Sequence, residues 1–89
     1  MAQVKLFGGL QRKAGTTAVT TSGSTVLEVL QILFTHHPEL ETAVTDDQNQ
    51  LQPHVRVMVN GHDIEFKEGL ETAVTDQDTI AIFPPIAGG

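Results

Sequence analysis

The last two residues of this 89-residue chain, Gly88 and Gly89, carry its most suggestive chemistry. Glycine has no Cβ, so a Gly-Gly end threads a channel too narrow for any other residue. It also takes φ angles that let a partner shape the backbone around a reactive centre. The one chemical handle at the tip is the α-carboxylate of Gly89. A carboxylate is a poor electrophile, so a partner must activate it, typically with ATP to give an acyl-adenylate. A sulfur donor then makes a thiocarboxylate, or an amine makes an amide. By chance a terminal Gly-Gly arises in about one chain in 200, so the setting matters. Here the pair follows an apolar strand and Pro84-Pro85, which hold the emerging segment stiff and extended. At roughly 3.5 Å per residue, Ile86-Ala87-Gly88-Gly89 reach about 14 Å beyond the last proline. The opposing reading is an inert, frayed terminus.

Other residue sets offer less. His36 and His37 are adjacent, so they point to different sides of a helix and make no chelate of the i, i+4 kind. His54 and His62 lie at opposite ends of an expected hairpin, and no metal site is expected. Asp46-Asp47 and Asp76-Gln77-Asp78 lack a calcium-loop spacing and its glycine, so they read as solvated turns. Gly8-Gly9 lacks the Gly-Lys-Ser/Thr that completes a phosphate loop and reads as a turn. Ser22 and Ser24 stand at a helix entrance, where capping accounts for them.

Composition narrows the class further. Five Lys and Arg against eleven Asp and Glu give a net charge of −6, with a pI near 4.9. Nucleic-acid binding needs a basic face to neutralise phosphates, and an anionic membrane surface needs the same, so neither partner is expected. Apolar residues are 39% and charged residues 18%, the balance of a globular domain rather than a disordered chain. No apolar run is long enough to span a bilayer. Met1-Ala2-Gln3-Val4-Lys5 has no signal-peptide pattern. There are no cysteines, which removes disulfides, thiolate metal sites and cysteine nucleophiles, and a cytoplasmic location is expected.

The elements that must position the tail are legible as hydrophobic periods. Gln3–Phe7 alternates as a strand, Gly8 to Gly15 reads as a loop, and β-branched Thr16–Thr21 returns antiparallel to the first. Thr25 and Glu28 stand at capping-box spacing. Val26, Val29, Leu30 and Leu33 then form one apolar stripe, widened by Leu27 and Phe34. Pro38 ends that helix near His36. Pro38 to Pro53 is polar, with Leu40, Val44 and Leu51 as anchors. Asn60-Gly61 is a hairpin signal that sets Val59 opposite His62, Val57 opposite Ile64 and Val55 opposite Phe66. On the other face it pairs Met58 with Asp63 and Arg56 with Glu65. Thr79–Phe83 is the last strand, stopped by Pro84-Pro85.

Leu40–Asp46 and Leu70–Asp76 are the same heptapeptide, LETAVTD. Both precede acidic turns, so similar local roles are expected. The order strand, strand, helix, strand, short strand, strand predicts an α+β protein. Its mixed sheet packs on one main helix in a β-grasp (ubiquitin-like) fold, with the first and last strands side by side. Residues 1–83 form the domain and residues 84–89 the extended tail.

If Val4, Leu6, Ile80 and Ile82 face the helix, then Phe7, Ala81 and Phe83 face away, joined by Met58. Two of only four phenylalanines in one outward cluster mark a protein-docking surface. The acidic body, taken as a whole, favours a partner with a basic docking face.

The chain resembles the MoaD/ThiS family of ubiquitin-like sulfur carriers. The resemblance rests on Val4-Lys5-Leu6-Phe7, Lys13-Ala14-Gly15, the helix Thr25 to Phe34, and Val57-Met58-Val59-Asn60-Gly61. Above all it rests on the closing segment Asp76–Gly89, whose Phe83-Pro84-Pro85 is similar to molybdopterin-synthase small subunits. The resemblance implies a non-catalytic carrier with no cofactor of its own. Gly89 would be adenylated, at the expense of ATP, by an E1-like adenylyltransferase of the MoeB or ThiF type. The thiocarboxylate would then pass sulfur to an acceptor on a MoaE-like large subunit. The Leu51–Gly69 region, with its long Val55–Phe66 hairpin, resembles longer carriers of the family, some of which serve cysteine biosynthesis or tRNA thiolation or act as archaeal protein modifiers. The alternative within the class is a thiocarboxylate donor for cysteine, thiamin or tRNA thiolation. From a different class, a β-grasp interaction module with an inert tail is the remaining alternative.

Overall fold

The structure, a computed structural model, describes residues 1–84. Its main helix, α2 (Val26–His36), starts at Thr25, whose Oγ1 accepts the Glu28 N–H at 3.2 Å. The Glu28 carboxylate reaches one residue further back than a capping box requires. It accepts the Ser24 backbone N–H and the Ser24 hydroxyl, each at 2.8 Å. Val26, Val29, Leu30, Leu33 and Phe34 form the buried face of α2, and Leu27 is half-buried. His37 leaves helical geometry at φ −135°, as a residue before proline should.

That face covers one side of a five-stranded sheet in the order β2-β1-β5-β3-β4. The strands are β1 (Ala2–Leu6), β2 (Ala18–Thr21), β3 (Arg56–Val59), β4 (His62–Asp63) and β5 (Thr79–Phe83). β1 runs antiparallel to β2 and parallel to β5, so the first and last strands are neighbours at the sheet centre. β5 pairs antiparallel with β3. Alternation decides the faces: Ala2, Val4, Leu6, Val57, Val59, Ile80 and Ile82 are buried beneath α2. The mixed sheet on one main helix is the expected α+β arrangement, a β-grasp.

Three local expectations fail, each for a physical reason. Residues between Gly8 and Gly15 are not a loop but a short helix, α1 (Gly9–Ala14), closed by left-handed Gly15 at φ 74°. Leu10 anchors it, fully buried, with Ala14 packed on the core one turn later. The flanking glycines mask this four-residue spacing.

The hairpin at Asn60-Gly61 forms with the expected pairs Val59–His62 and Met58–Asp63, and stops there. Asn60 and Gly61 both take positive φ, 52° and 85°, as a two-residue turn of this hand demands. Asp63 ends the ladder: its Oδ1 accepts the Glu65 N–H at 2.9 Å and bends the chain into a 3₁₀ turn, Ile64–Phe66. Ile64 turns into the core, and Phe66 is 83% exposed rather than opposite Val55. Arg56 accordingly pairs most closely with Asp63, at 2.9 Å, and stands 3.9 Å from Glu65.

The two LETAVTD copies do not share a role. The first caps the 3₁₀ turn Pro38–Leu40 and forms helix α3 (Glu41–Val44), with Leu40 and Val44 fully buried. The second begins in the 3₁₀ turn Gly69–Glu71 and then extends, so that Ala73 bridges Thr25 at the start of α2. Thr42 is exposed, whereas Thr72 is buried, donating its hydroxyl to the Gly69 carbonyl at 2.6 Å and accepting the Glu68 N–H at 3.1 Å.

Candidate functional site

The parallel pairing of β1 and β5 fixes the site. Because Leu6 is level with Ile82, the next residues, Phe7 just past the end of β1 and Phe83 at the end of β5, stand side by side. Their rings stack with centroids 4.4 Å apart and planes 14° from parallel. Ala81 lies between Lys5 of β1 and Met58 of β3, and Phe83 is level with Arg56. Phe7, Met58, Ala81 and Phe83 thus share the sheet face opposite α2, as expected, and all four are half-buried.

Pro84 begins the tail beside the turn into α1. Gly8 takes φ 58° there, and a Cβ at that residue would stand 2.9 Å from Pro84 Cγ. The tail root is therefore seated on the segment that follows Phe7. Pro85, Ile86, Ala87, Gly88 and Gly89, which carry the expected reactive end, lie outside the described residues.

The electrostatics of this face differ from those of the whole chain. Lys5 on β1 and Arg12 and Lys13 on α1, the elements either side of Phe7, are exposed, and among the described residues none of them has an ion-pair partner. Asp63, level with Met58, and Glu65 are engaged by Arg56. The Asp63 carboxyl lies below its usual range, mainly because it accepts the Glu65 backbone N–H, with Arg56 adding to the effect. The expectation of a basic docking partner, drawn from net charge, is thus not supported at the face itself. The signal was available in the sequence, since Lys5 and Phe7 alternate onto one side of β1.

The remaining candidates are scattered. His37 Nδ1 stands 3.3 Å from Glu39 Oε2, while His54 and His62 are exposed elsewhere. Among the described residues no three His, Cys, Asp or Glu side chains converge on a metal position. A pocket of about 430 Å³ flanks β3, lined in part by Leu51, Val55, Val57, Ile64 and Leu70, apart from the aromatic stack. No helix among the described residues is long and apolar enough to cross a membrane.

The mixed five-stranded sheet packed on one main helix, with its first and last strands side by side, places the chain among ubiquitin-like β-grasp proteins. Comparison with known proteins narrows the class: residues 4–89 match the ThiS family, and the chain belongs to it. Small archaeal modifier protein 1 of Haloferax volcanii is 38% identical over 88 residues, covering 96% of this chain and 97% of its own. Sulfur carrier protein CysO of Mycobacterium tuberculosis is 32% identical over 77 residues, covering 84% of this chain and 83% of its own. A chain of the solved BexX/CysO complex of Amycolatopsis orientalis superposes with a TM-score of 0.90. It is 31% identical, and all of both chains is covered. The chain is thus a member of a family of small sulfur carriers and ubiquitin-like modifiers, and the expected fold and family both hold.

Proposed function

We propose that this protein is a cytoplasmic sulfur carrier whose Gly89 α-carboxylate is activated and then charged with sulfur by partner enzymes. The observation that supports this most strongly is the family match, which runs from β1 through Gly88-Gly89. An E1-like adenylyltransferase of the MoeB or ThiF type would bind the face built from Phe7, Met58, Ala81 and Phe83. Pro84, Pro85, Ile86 and Ala87 would lead the tail into its cleft, and Gly88 would pass the narrowest point. The Gly89 carboxylate oxygen attacks the α-phosphorus of ATP and pyrophosphate leaves. A hydrosulfide-equivalent donor then attacks the acyl carbon, a C–S bond forms and AMP departs, giving the thiocarboxylate. This chain supplies the acyl group and the docking surface; the partner supplies ATP binding and catalysis.

The Phe83-Pro84-Pro85 segment supports an acceptor of the molybdopterin kind, held by a MoaE-like subunit. Donation to cysteine, thiamin or tRNA thiolation uses the same charged tail. A second reading is supported by the 38% identity to a protein named as an archaeal modifier: the activated Gly89 would form an amide with a lysine amine. The BexX/CysO complex supports the general idea that such a chain works bound to a partner protein.

The test is the intact mass of the protein isolated from its native host without reductant or acid. A population heavier by one sulfur-for-oxygen exchange, mapped to Gly89, is the expected result. If only carboxylate is found, the host's E1-like enzyme, ATP and sulfide are added. Continued absence of the exchange overturns the carrier reading. Higher-mass conjugates in lysate that vanish on deletion of Gly88-Gly89 would establish the modifier.

A further inference from the structure

Charge is segregated on this molecule in a way its net value of −6 conceals. Lys5 lies level with Ala18 on one side and Ala81 on the other, two residues before Phe7 on the same face. Arg12 folds back along α1, its guanidinium 3.9 Å from where a Gly9 Cβ would be, one residue from the Gly8–Pro84 contact. Lys13 follows it in the exposed last turn of α1. Three exposed cations, none of them ion-paired among the described residues, thus lie on β1 and α1, the two elements that flank Phe7.

The acids lie elsewhere. Asp46, Asp47, Glu39 and Glu41 follow α2, and Asp76 and Asp78 precede β5 at the sheet end opposite Pro84. Asp63, level with Met58, and Glu65 are both paired with Arg56. The fifth cation, Lys67, sits past the Ile64–Phe66 turn, where its charge helps depress the Asp78 carboxyl.

Building on the carrier reading, we propose that this face docks an activating enzyme whose binding surface is apolar at its centre and acidic at its rim. The half-buried aromatic centre matches the desolvated core of an interface, and the cations match a solvated edge. Rim charges act mainly on the encounter rate and are screened beyond about 8 Å at physiological salt. A partner with a basic rim would meet Lys5, Arg12 and Lys13 as like charges and be rejected.

The experiment measures binding of the full chain to the host's E1-like adenylyltransferase without ATP, across a salt series. Wild-type binding is expected to weaken as salt rises. The triple change Lys5→Glu, Arg12→Glu, Lys13→Glu should weaken binding on the order of tenfold or more at low salt and flatten the salt dependence. A neutral triple change to Gln should fall between, with an unaltered melting temperature to show that the fold is kept. Lys67→Glu should leave binding within about twofold. Unchanged or tighter binding by both triple variants overturns the proposal, as does a wild-type chain that does not bind. Binding without adenylation once ATP is added would overturn the carrier reading while leaving the docking face in place.

Discussion

Phe7 and Phe83 come from near opposite ends of the chain, yet their rings stack 4.4 Å apart. The parallel register of β1 and β5 is what brings them together. A stacked pair contributes about 0.5–1.5 kcal/mol beyond the area it buries. Phe83→Asp loses this and the ring's partial burial, so it should cost more than about 1 kcal/mol of stability but leave the domain folded, while removing activation of Gly89 by the adenylyltransferase. Normal pyrophosphate release with this variant would show that the stack is only a structural contact.

The core is centred on α2, so its inward face should dominate stability. Leu30 is fully buried between the helix and the sheet. Leu30→Ala is expected to cost about 2–5 kcal/mol. Phe66→Ala, at 83% exposure, should stay within about 0.5 kcal/mol of wild type. Urea midpoints of the two variants check this. A large loss at Phe66 would mean that its ring is covered in solution.

How much of this architecture could be read from residues alone follows from which signals are local. The α2 stripe, its cap and its stop at Pro38 are periodic and self-contained, and β5 is bounded by its own prolines, so these were legible. The chemistry expected of Gly88-Gly89 falls on residues outside those the structure describes. The hairpin was not legible beyond its first pairs. The alternation through Phe66 was real, but one side-chain hydrogen bond from Asp63 outcompeted the ladder. The repeated LETAVTD is the sharpest case: identical letters form a helix after Pro38 and an extended bridge beside Thr25. What differs is the flanking chain and the surface each copy packs on, which no local window contains. Lys5 was legible beside Phe7 by alternation along β1, whereas Arg12 was not, because it sits on a helix whose flanking glycines give the pattern of a loop.

Thr21 offers a stabilising change. Its residue is 3% exposed, and its Oγ1 is buried without a hydrogen-bond partner among the described residues. An unpaired buried hydroxyl costs about 1–3 kcal/mol. Thr21→Val keeps the shape and the β-branch of a strand residue, so it should raise stability by about 1 kcal/mol. Thermal unfolding reads this directly, and a fall in melting temperature would reveal a partner for the hydroxyl.

Acid should weaken the fold through three carboxylates that the native state holds ionised. Glu28 lies below its usual 4.5, chiefly because it accepts the Ser24 backbone N–H and then the Ser24 hydroxyl. Asp78 lies below 3.8 through the Asn60 side-chain amide first and the Thr75 backbone N–H second. Asp63 is lowered chiefly by the Glu65 N–H. In each case the unfolded chain takes up its proton at a higher pH than the folded one. Their stabilisation is therefore complete above the unfolded values and is lost as pH falls through the lower, folded ones. Acidification also relieves the self-repulsion of a chain with net charge −6, which acts in the opposite direction. A comparison of variants separates the two effects. Glu28→Gln keeps the volume but cannot titrate, so it should be less stable than wild type near neutral pH and converge with it under acid. Parallel stability profiles at every pH would show that the Ser24–Glu28 contact does not hold in solution.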